Sequence, residues 1–457
     1  MDAAGARGSF SLADPYPEAK KTALVTARMR ELPPLVTSFE IDNLRARLAS
    51  AERGERFVLW GGDCAETLAD CRAEIIASKL KVMLQMARVI GAGAGVPVVK
   101  VGRMAGQYAK PRSSATETRN AADGDAAALT LPSYFGDLVN RPEFTRAARE
   151  ADPANLLRGY THAGLTLNFV RSLMQGGFAD PHHPEYWDLG RFQSERVAPE
   201  LRAAYERLTR GKERRPAHVD DALDDAEFFV SHEALNLVYE AAQTRTVPRH
   251  TGFFDLTTHL PWLGERTRGV DGPHVEFLRG IENPLGIKLG PTARGADVVA
   301  LLAMLNPGRE AGKIVLMPRL GRVAVAAVLP ELIEHLRRAG HPALWVTDPM
   351  HGNTLTAASG KKTRRVEDVI AEIEASIGIH AAHGSRLGGI HVELTGADVT
   401  ECIGGATGLR EEDMPRNYET ACDPRLNYEQ SLEVAFATAA GLGGRGERIG
   451  GSSPARV

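Results

Sequence analysis

NPLGIKLGP, residues 283–291, joins a short apolar run to the prolines and glycine that bound it. The run itself, 285–289 (LGIKL), has the length and composition typical of a β-strand that is buried on both faces. Seven similar runs lie at 57–61 (FVLWG), 96–101 (VPVVKV), 227–231 (EFFVS), 252–256 (GFFDL), 313–317 (KIVLM), 343–347 (ALWVT) and 389–394 (GIHVEL).

Helical patterns separate many of these runs, for example at 74–90, 322–338 and 364–377. Eight strands that alternate with helices predict an α/β protein with a (β/α)8 TIM barrel, and a doubly wound open sheet is the alternative. We expect an N-terminal extension over 1–50 with a helix near 38–53, and the barrel over 51–440. We also predict a helical insertion at about 150–225, after the second strand, with an amphipathic helix at 195–210. The Gly- and Ser-rich segment 441–457 is predicted to be a flexible tail.

Composition and charge narrow the class of protein. The 457 residues include 55 Lys and Arg against 58 Asp and Glu, a net charge of −3, so we expect neither nucleic acid nor a membrane surface as a partner. The chain contains no apolar run long enough to span a membrane and begins without the apolar core of a secretory signal. The four cysteines form no C-x-x-C pair, which favours a reduced, cytoplasmic protein.

Ionisable residues concentrate where the predicted strands end, which is where barrel enzymes carry their chemistry. One group is cationic and suits phosphate or carboxylate ligands: Arg103, Lys110, Arg112, Arg266, Lys288 and Arg319. Within this group Lys288 is notable because it lies inside an apolar strand, where an unpaired ammonium is costly. An ordinary explanation for each single residue is a surface ion pair, but six cations at the ends of four or five strands favour an anion site.

A second group mixes soft and hard ligand atoms and suits a divalent transition metal. Its members are Cys64, His351 and Glu393, with Asp423 as a further candidate. A lone cysteine after a strand is more often a small buried apolar residue than a metal ligand. The case for a metal therefore depends on whether these side chains meet in the fold.

A series of motifs resembles the type II, plant-like family of 3-deoxy-D-arabino-heptulosonate 7-phosphate (DAHP) synthases, which open the shikimate pathway. The motifs are ordered along most of the chain: GGDCAE (61–66), AGQYAKPRS (105–113), LPSYFGD (131–137), SHEAL (231–235), GERTR (264–268), DGPHVEF (271–277), NPLGIKLGP (283–291), NPGRE (306–310), DPMHGNT (348–354), GGIHVELTG (388–396), TECIGG (400–405) and YETACDPRLN (418–427). The fold of that family is the same (β/α)8 barrel.

The resemblance implies roles for individual residues. The family's metal ligands match Cys64, His351, Glu393 and Asp423. Its phosphoenolpyruvate contacts match Arg103, Lys110, Arg266, Lys288 and Arg319, with Glu265 beside them, and its sugar-phosphate contacts match Arg112 and Ser113. Lys110, Glu265 and Lys288 are the expected catalytic residues, and either Lys110 or a water held by Glu265 would transfer protons.

The implied reaction is a metal-dependent condensation of phosphoenolpyruvate with erythrose 4-phosphate that releases phosphate. The mixed ligand set suits Mn²⁺ or Co²⁺, with Zn²⁺ or Fe²⁺ as alternatives. We expect a homo-oligomer. Leu355 and Thr356 replace a His-Glu pair of the family, and GFFDLTTHLPWL (252–263) is unusual for it. Two alternatives therefore stay open, a paralogue that uses an amino-erythrose phosphate and a catalytically silent regulatory paralogue.

The cysteines allow one further prediction. If Cys64 and Asp423 bind one metal, then Cys422 must lie near Cys64, because it is adjacent to a ligand. Two cysteine Cβ atoms about 4 Å apart can form a disulfide. We predict a Cys64–Cys422 bond in oxidised, metal-free protein, and a free Cys422 thiol is the alternative.

Overall fold

The computed structural model describes residues 13–112, 114–119, 128–178 and 227–443, and its centre is a closed barrel of parallel strands. Around the barrel the strand order is β1-β14-β11-β10-β9-β8-β5-β2. These strands are β1 (Phe57–Gly62), β2 (Val98–Arg103), β5 (Phe229–Glu233), β8 (Leu260–Leu263), β9 (Leu285–Leu289), β10 (Ile314–Pro318), β11 (Leu344–Thr347) and β14 (Leu387–Glu393). The prediction of a (β/α)8 barrel is confirmed, and an open sheet is excluded.

Three two-stranded antiparallel sheets lie outside the barrel. They pair β3 (Thr116–Arg119) with β4 (Leu129–Pro132), β6 (Thr244–Thr246) with β7 (Phe253–Asp255), and β12 (Leu355–Thr356) with β13 (Lys362–Thr363). The described α-helices are α1 (Ala19–Glu31), α2 (Ser38–Glu52), α3 (Ala73–Ala94), α4 (Arg146–Arg149), α5 (Ala154–Gln175), α6 (Leu237–Gln243), α7 (Pro273–Leu278), α8 (Gly295–Leu305), α9 (Gly321–Ala339), α10 (Val366–Ala382) and α11 (Tyr428–Gly443).

The prediction of the fourth barrel strand at 252–256 is wrong. Residues Phe253–Asp255 pair antiparallel with Thr244–Thr246 outside the barrel, and Phe253 is 52% exposed. The barrel strand follows at Leu260–Leu263, where Leu260 and Trp262 are buried. Pro261 has no backbone N–H to donate to a neighbouring strand, so the sequence of this segment is less typical of a strand than GFFDL. Packing in the folded barrel nevertheless places it in the sheet.

The barrel interior is built in layers, because every second strand residue points inward. Its apolar interior includes Val58 and Trp60 of β1, Val99 and Val101 of β2, and Trp262 of β8. The Trp60 and Trp262 rings meet edge to face with centroids 5.6 Å apart. A Cβ atom on Gly286 would lie 2.7 Å from the Trp60 ring and 2.8 Å from Trp262 Cβ, so a glycine leaves room for these two side chains.

The N-terminal segment contributes to the barrel core through α2. Thr37 and Glu40 form a reciprocal capping box that starts this helix, close to the predicted bound. Leu44 and Leu48 are fully buried and pack in one cluster with Val58 and Leu344, which lie near the beginnings of their strands. The helix therefore closes the amino-terminal end of the barrel.

Two predicted segments lie wholly or largely outside the described residues. The helix predicted at 195–210 falls in the gap between 178 and 227, and the described part of the insertion contains α5. The last helix reaches Gly443, three residues into the segment predicted to be a tail, and residues 444–457 are not described. Among the described helices, none has the length and apolar character needed to cross a membrane.

Candidate active site

A cavity of about 480 Å³ opens at the carboxyl ends of the barrel strands. Nine of the predicted site residues line it: Arg103, Lys110, Arg112, Glu265, Arg266, Lys288, Arg319, His351 and Asp423. Cys64 and Glu393 are fully buried and lie against these residues, as the contacts below show. Ser113 lies outside the described residues.

The four predicted metal ligands converge on Asp423. The ligand atoms of Asp423, His351 and Glu393 lie within 4.8 Å of one another, and so do those of Asp423, Cys64 and Cys422. The Cys64 Sγ and Asp423 Oδ2 atoms are 3.5 Å apart. The two groups share Asp423, so one thiol, one imidazole and two carboxylates lie next to one another, a donor set that suits a divalent transition metal.

The orientation of His351 fits metal binding. Its Nδ1 atom lies 2.7 Å from Asp348 Oδ2, whereas its Nε2 atom lies 3.0 Å from Glu393 Oε1. If Nδ1 carries the proton that Asp348 accepts, Nε2 presents a lone pair toward a carboxylate oxygen. A cation between these two atoms would resolve that repulsion, and a carboxylate that holds the other nitrogen is the usual support of a histidine ligand.

Glu393 is a buried carboxylate held in its charged form. Neither of its oxygens accepts a hydrogen bond of good geometry from the described residues, although Arg103 Nη2 lies 3.0 Å from Oε1 and Arg364 Nη1 lies 2.8 Å from Oε2. Burial raises the pKa of Glu393, but His351, Arg364 and Arg103 outweigh it and hold this pKa well below its usual range. The oxygens thus keep lone pairs available to a cation.

Lys110 approaches the same centre from the loop after β2. Its Nζ atom donates to Cys64 Sγ at 2.7 Å and lies 3.1 Å from Asp423 Oδ2. Burial lowers the pKa of Lys110, but Cys64 and Asp423 raise it well above its ordinary value. Lys110 is therefore a charged ammonium that stands beside the predicted metal ligands.

The two cysteines beside Lys110 are both free thiols in contact with each other. The hydrogen bond from Cys64 lowers the pKa of Cys422 to about 6. Arg112 Nη1 donates to Cys422 Sγ at 3.3 Å, which also favours a thiolate there. The predicted proximity of Cys422 and Cys64 is thus found, while the disulfide stays a prediction.

Two further cations, Lys288 and Arg319, line the cavity beside His351. Lys288 Nζ lies 3.2 Å from Asp348 Oδ2, and Arg319 Nη2 donates to the His351 carbonyl at 2.8 Å. Burial lowers the pKa of Lys288, and Asp348 opposes that shift. These contacts fix the cations around the mouth of the cavity, where an anion with two charged groups would meet several of them at once.

A family model now adds an independent observation. The model described as the class-II DAHP synthetase family matches residues 9–439. The chain belongs to this family. The match covers the barrel, the N-terminal helices and the cavity residues described above.

Curated relatives agree with the family match. A phospho-2-dehydro-3-deoxyheptonate aldolase of Streptomyces coelicolor is 46% identical over 437 residues, 93% of each chain. The same-named protein of Neurospora crassa is 40% identical over 93% of this chain and 90% of its own, and AroG of Mycolicibacterium smegmatis is 42% identical over 90% and 88%.

Solved structures of more distant proteins also match. Phospho-2-dehydro-3-deoxyheptonate aldolase (DAHP synthase) of Thermotoga maritima aligns with a TM-score of 0.35 and 14% identity over 84% of this chain and 68% of its own. A truncated form of 3-deoxy-D-arabino-heptulosonate 7-phosphate synthase from the same organism gives a TM-score of 0.32 and 13% identity over 83% and 84%. At these scores the superpositions carry no argument about topology or site.

The geometry distinguishes two carboxylates that line the cavity. Glu265 Oε2 accepts the Gly290 N–H at 2.6 Å, and both of its oxygens bond Arg268. Glu265 therefore braces the ends of β8 and β9. Glu233, at the end of β5, also lines the cavity, and its carboxylate accepts no hydrogen bond from the described residues.

Sequence reasoning assigned no role to several residues that the fold brings to the site. Glu233, Asp348 and His391 lie at strand ends, so the strand-end criterion that selected the cations applies equally to them. Lys362 and Glu117 lie on hairpins outside the barrel, and Lys362 Nζ is 2.7 Å from Asp423 Oδ1. No strand-end pattern could have found these two.

Proposed function

We propose that this protein is a 3-deoxy-7-phosphoheptulonate synthase that condenses phosphoenolpyruvate with erythrose 4-phosphate and releases phosphate. One observation carries the proposal: a cation-lined cavity adjoins a Cys, His, Glu and Asp donor set in a chain that belongs to the class-II DAHP synthetase family. The reaction needs both parts, since both substrates are anions and phosphoenolpyruvate is a weak nucleophile that needs a polarised aldehyde.

Phosphoenolpyruvate would occupy the cationic side of the cavity. Its carboxylate and phosphate lie close together, and guanidinium groups bind such groups in a bidentate manner. Arg103, Arg266, Lys288 and Arg319 face this side, with Lys110 between it and the metal donors. The buried Trp262 ring packs against two of these cations, 5.1 Å from the Arg103 guanidinium carbon and 5.8 Å from Lys288 Nζ.

The aldose phosphate would lie at the side of the cavity nearer the β3–β4 hairpin. Arg112 lies there, and Glu117 Oε1 holds its guanidinium at 3.4 Å. We assign Arg112 and Ser113 to the sugar phosphate. Lys362, on the β12–β13 hairpin, is a further cation on the cavity wall that can meet this substrate.

A divalent metal bound by Cys64, His351, Glu393 and Asp423 would act as a Lewis acid on the aldehyde oxygen, and Mn²⁺, Co²⁺, Zn²⁺ and Fe²⁺ are all compatible with this donor set. The protein holds the two substrates in contact, which supplies much of the rate acceleration. Lys110, as an ammonium beside Asp423, can donate a proton to the oxygen that becomes the new hydroxyl.

The bonds that form and break in this reaction also require a group that accepts a proton from water. C3 of phosphoenolpyruvate forms a bond to the aldehyde carbon, water adds at C2, and the C2–O bond to phosphate breaks. The water must lose a proton. We assign this proton to Glu233, which lines the cavity, because Glu265 is already committed to Arg268 and Gly290.

An assay of phosphate release tests the proposal. Metal-stripped protein should be inactive, and protein reloaded with Mn²⁺ or Co²⁺ should release phosphate only when both substrates are present. Parallel reactions with erythrose 4-phosphate and its amino analogue separate the main assignment from the amino-aldose alternative. No phosphate release with either aldose in metal-loaded protein would favour the silent regulatory paralogue.

A further inference from the structure

His391 lies in register with Trp60, one inward position before Glu393, and belongs to neither set of predicted ligands. It is fully buried on β14, two residues before Glu393. Its ring meets Trp60 and Trp262 edge to face, with centroids 5.1 and 6.0 Å away. The Trp60 Nε1 atom is in turn anchored to Ser231 Oγ at 2.6 Å, so the aromatic surroundings of the imidazole are fixed.

The hydrogen-bond roles of His391 follow from its partner. Its Nε2 atom lies 3.1 Å from Arg103 Nη1. Because a guanidinium only donates, Nε2 must be the acceptor. The proton of a neutral ring is then on Nδ1, which lies 3.3 Å from Asp348 Oδ2.

The other nitrogens of Arg103 donate to backbone carbonyls just after β1. Its Nε donates to the Asp63 carbonyl at 2.8 Å, and its Nη2 donates to the Cys64 carbonyl at 3.0 Å. Nη1 carries two hydrogens, and His391 engages only one of them. Arg103 also lines the cavity although its side chain is only 1% exposed.

We propose that His391 is a positioning residue that orients the Arg103 guanidinium toward phosphoenolpyruvate. This proposal rests on the proposed function. A neutral acceptor suits this role, because it fixes the direction of the guanidinium without cancelling its charge. Glu393 Oε1 already lies 3.0 Å from Arg103, and a second carboxylate would weaken the attraction for an anionic substrate.

Two substitutions distinguish the contact that Nε2 makes with Arg103 from the contact that Nδ1 makes with Asp348. His391→Gln can place an amide oxygen near the position of Nε2 and so keep an acceptor for Arg103. His391→Asn reaches only the position of Nδ1, so it can keep the contact with Asp348 but leaves Arg103 without its acceptor. The two amides are otherwise matched in charge and chemistry.

We expect His391→Asn to raise the KM for phosphoenolpyruvate about tenfold to a hundredfold, because it removes a charge-assisted hydrogen bond. We expect His391→Gln to stay within about threefold of the wild-type KM, because that bond is retained. The KM for the aldose and the dissociation constant for Mn²⁺ should change little in either variant. A purely structural role of the buried ring would instead affect both amides alike.

A mutant cycle with Arg103→Ala makes the test independent of folding losses. In the Arg103→Ala background, His391→Asn should cause no further loss of phosphoenolpyruvate binding, measured directly by tryptophan fluorescence on protein shown to be folded. Equal KM values for the Asn and Gln variants, or an additive cycle, would overturn the positioning role. Absence of phosphoenolpyruvate binding in the wild-type protein would instead refute the proposed function.

Discussion

The two ends of the barrel are built from the same strands but differ in the chemistry of their inward-facing residues. At the amino-terminal end, Val58, Val99 and Leu344 pack under α2, and this end is closed and apolar. At the carboxyl end, the same strand β2 continues inward through Val101 to Arg103, where the cavity opens. Along β2, the inward-facing residues thus change from the closed apolar core at Val99 to the cavity at Arg103.

This contrast indicates how the molecule divides stability from function. The buried Lys288 ammonium loses hydration and recovers it only in part through its partners, whereas the charge of Glu393 depends on the cations around it, so charges in this layer add little net stability. The apolar layers below it supply the hydrophobic stabilisation. Substitutions at the carboxyl end should therefore change activity, and substitutions at the amino-terminal end should change the free energy of unfolding.

The largest expected effect concerns the metal donors. We predict that Cys64→Ala and His351→Ala abolish turnover, because each removes a ligand atom from the site around Asp423. Metal content and phosphate release would be measured on each purified variant. Cys71→Ala is the matched control, since that thiol contacts Thr166 and the His162 carbonyl instead of the cavity. Full activity of Cys64→Ala without bound metal would refute the assignment.

Oxidation should reversibly inactivate the predicted metal site at the carboxyl end of the barrel. We predict that metal-free protein exposed to air forms the Cys64–Cys422 bond and can no longer be activated by added metal, because the lowered pKa of Cys422, about 6, favours a thiolate at neutral pH. Reductant followed by metal should restore turnover, and Cys422→Ser should resist inactivation. Mass-spectrometric mapping is the direct measurement. A free Cys422 beside an oxidised Cys64 would contradict the prediction.

The two sides of the cavity should differ in substrate. We predict that Lys288→Met weakens phosphoenolpyruvate binding by about 2–5 kcal/mol, because the substitution leaves desolvated anions without their cation. Arg112→Ala should instead raise the KM for the aldose phosphate, with a smaller effect on phosphoenolpyruvate. Steady-state kinetics with each substrate varied in turn measures both. Equal effects of Lys288→Met on the two substrates would show that the division of the cavity is wrong.

The sequence predicts the apolar end of this comparison better than the polar end. Seven of the eight predicted strands overlap barrel strands, because parallel strands that are buried on both faces consist mainly of consecutive apolar residues. The exception, GFFDL, shows that local composition does not decide between a barrel strand and a hairpin beside it. Glu117 and Lys362 reach the cavity through hairpin geometry, which no strand pattern encodes.

At the amino-terminal end, Leu48→Ala tests whether stability and activity separate. Leu48 is fully buried between α2 and the barrel, so the cavity left by truncation should lower the free energy of unfolding by about 2–4 kcal/mol. The KM for both substrates should stay at the wild-type value. Denaturant unfolding and kinetics would be compared with Leu24→Ala, whose side chain is 73% exposed. A raised KM in Leu48→Ala would show that the two ends are coupled.

The smallest expected effect is a pH dependence of stability at the closed end. The Glu52 carboxylate, at the end of α2, accepts the Gly312 N–H at 2.8 Å, and burial raises its pKa from 4.5 to about 7. Between these two values the folded protein binds more protons than the unfolded chain. The contribution of Glu52 is therefore fully present below pH 4.5 and is lost as the pH rises through about 7.

Glu52→Gln isolates this contribution, because the amide keeps an acceptor for Gly312 but does not titrate. Glu52 is partly exposed, so after discounting for solvent screening we expect a difference of about 1 kcal/mol between the pH-dependent stability changes of wild type and variant. Glu66 and Glu372 also have pKa values raised to about 7, and they contribute equally to both proteins. Unfolding free energies at pH 5 and pH 8, about two units below and one unit above that pKa, measure the difference. If Glu52→Gln loses as much stability across this range as the wild type, Glu52 does not titrate there, and the closed end contains no such buried acid.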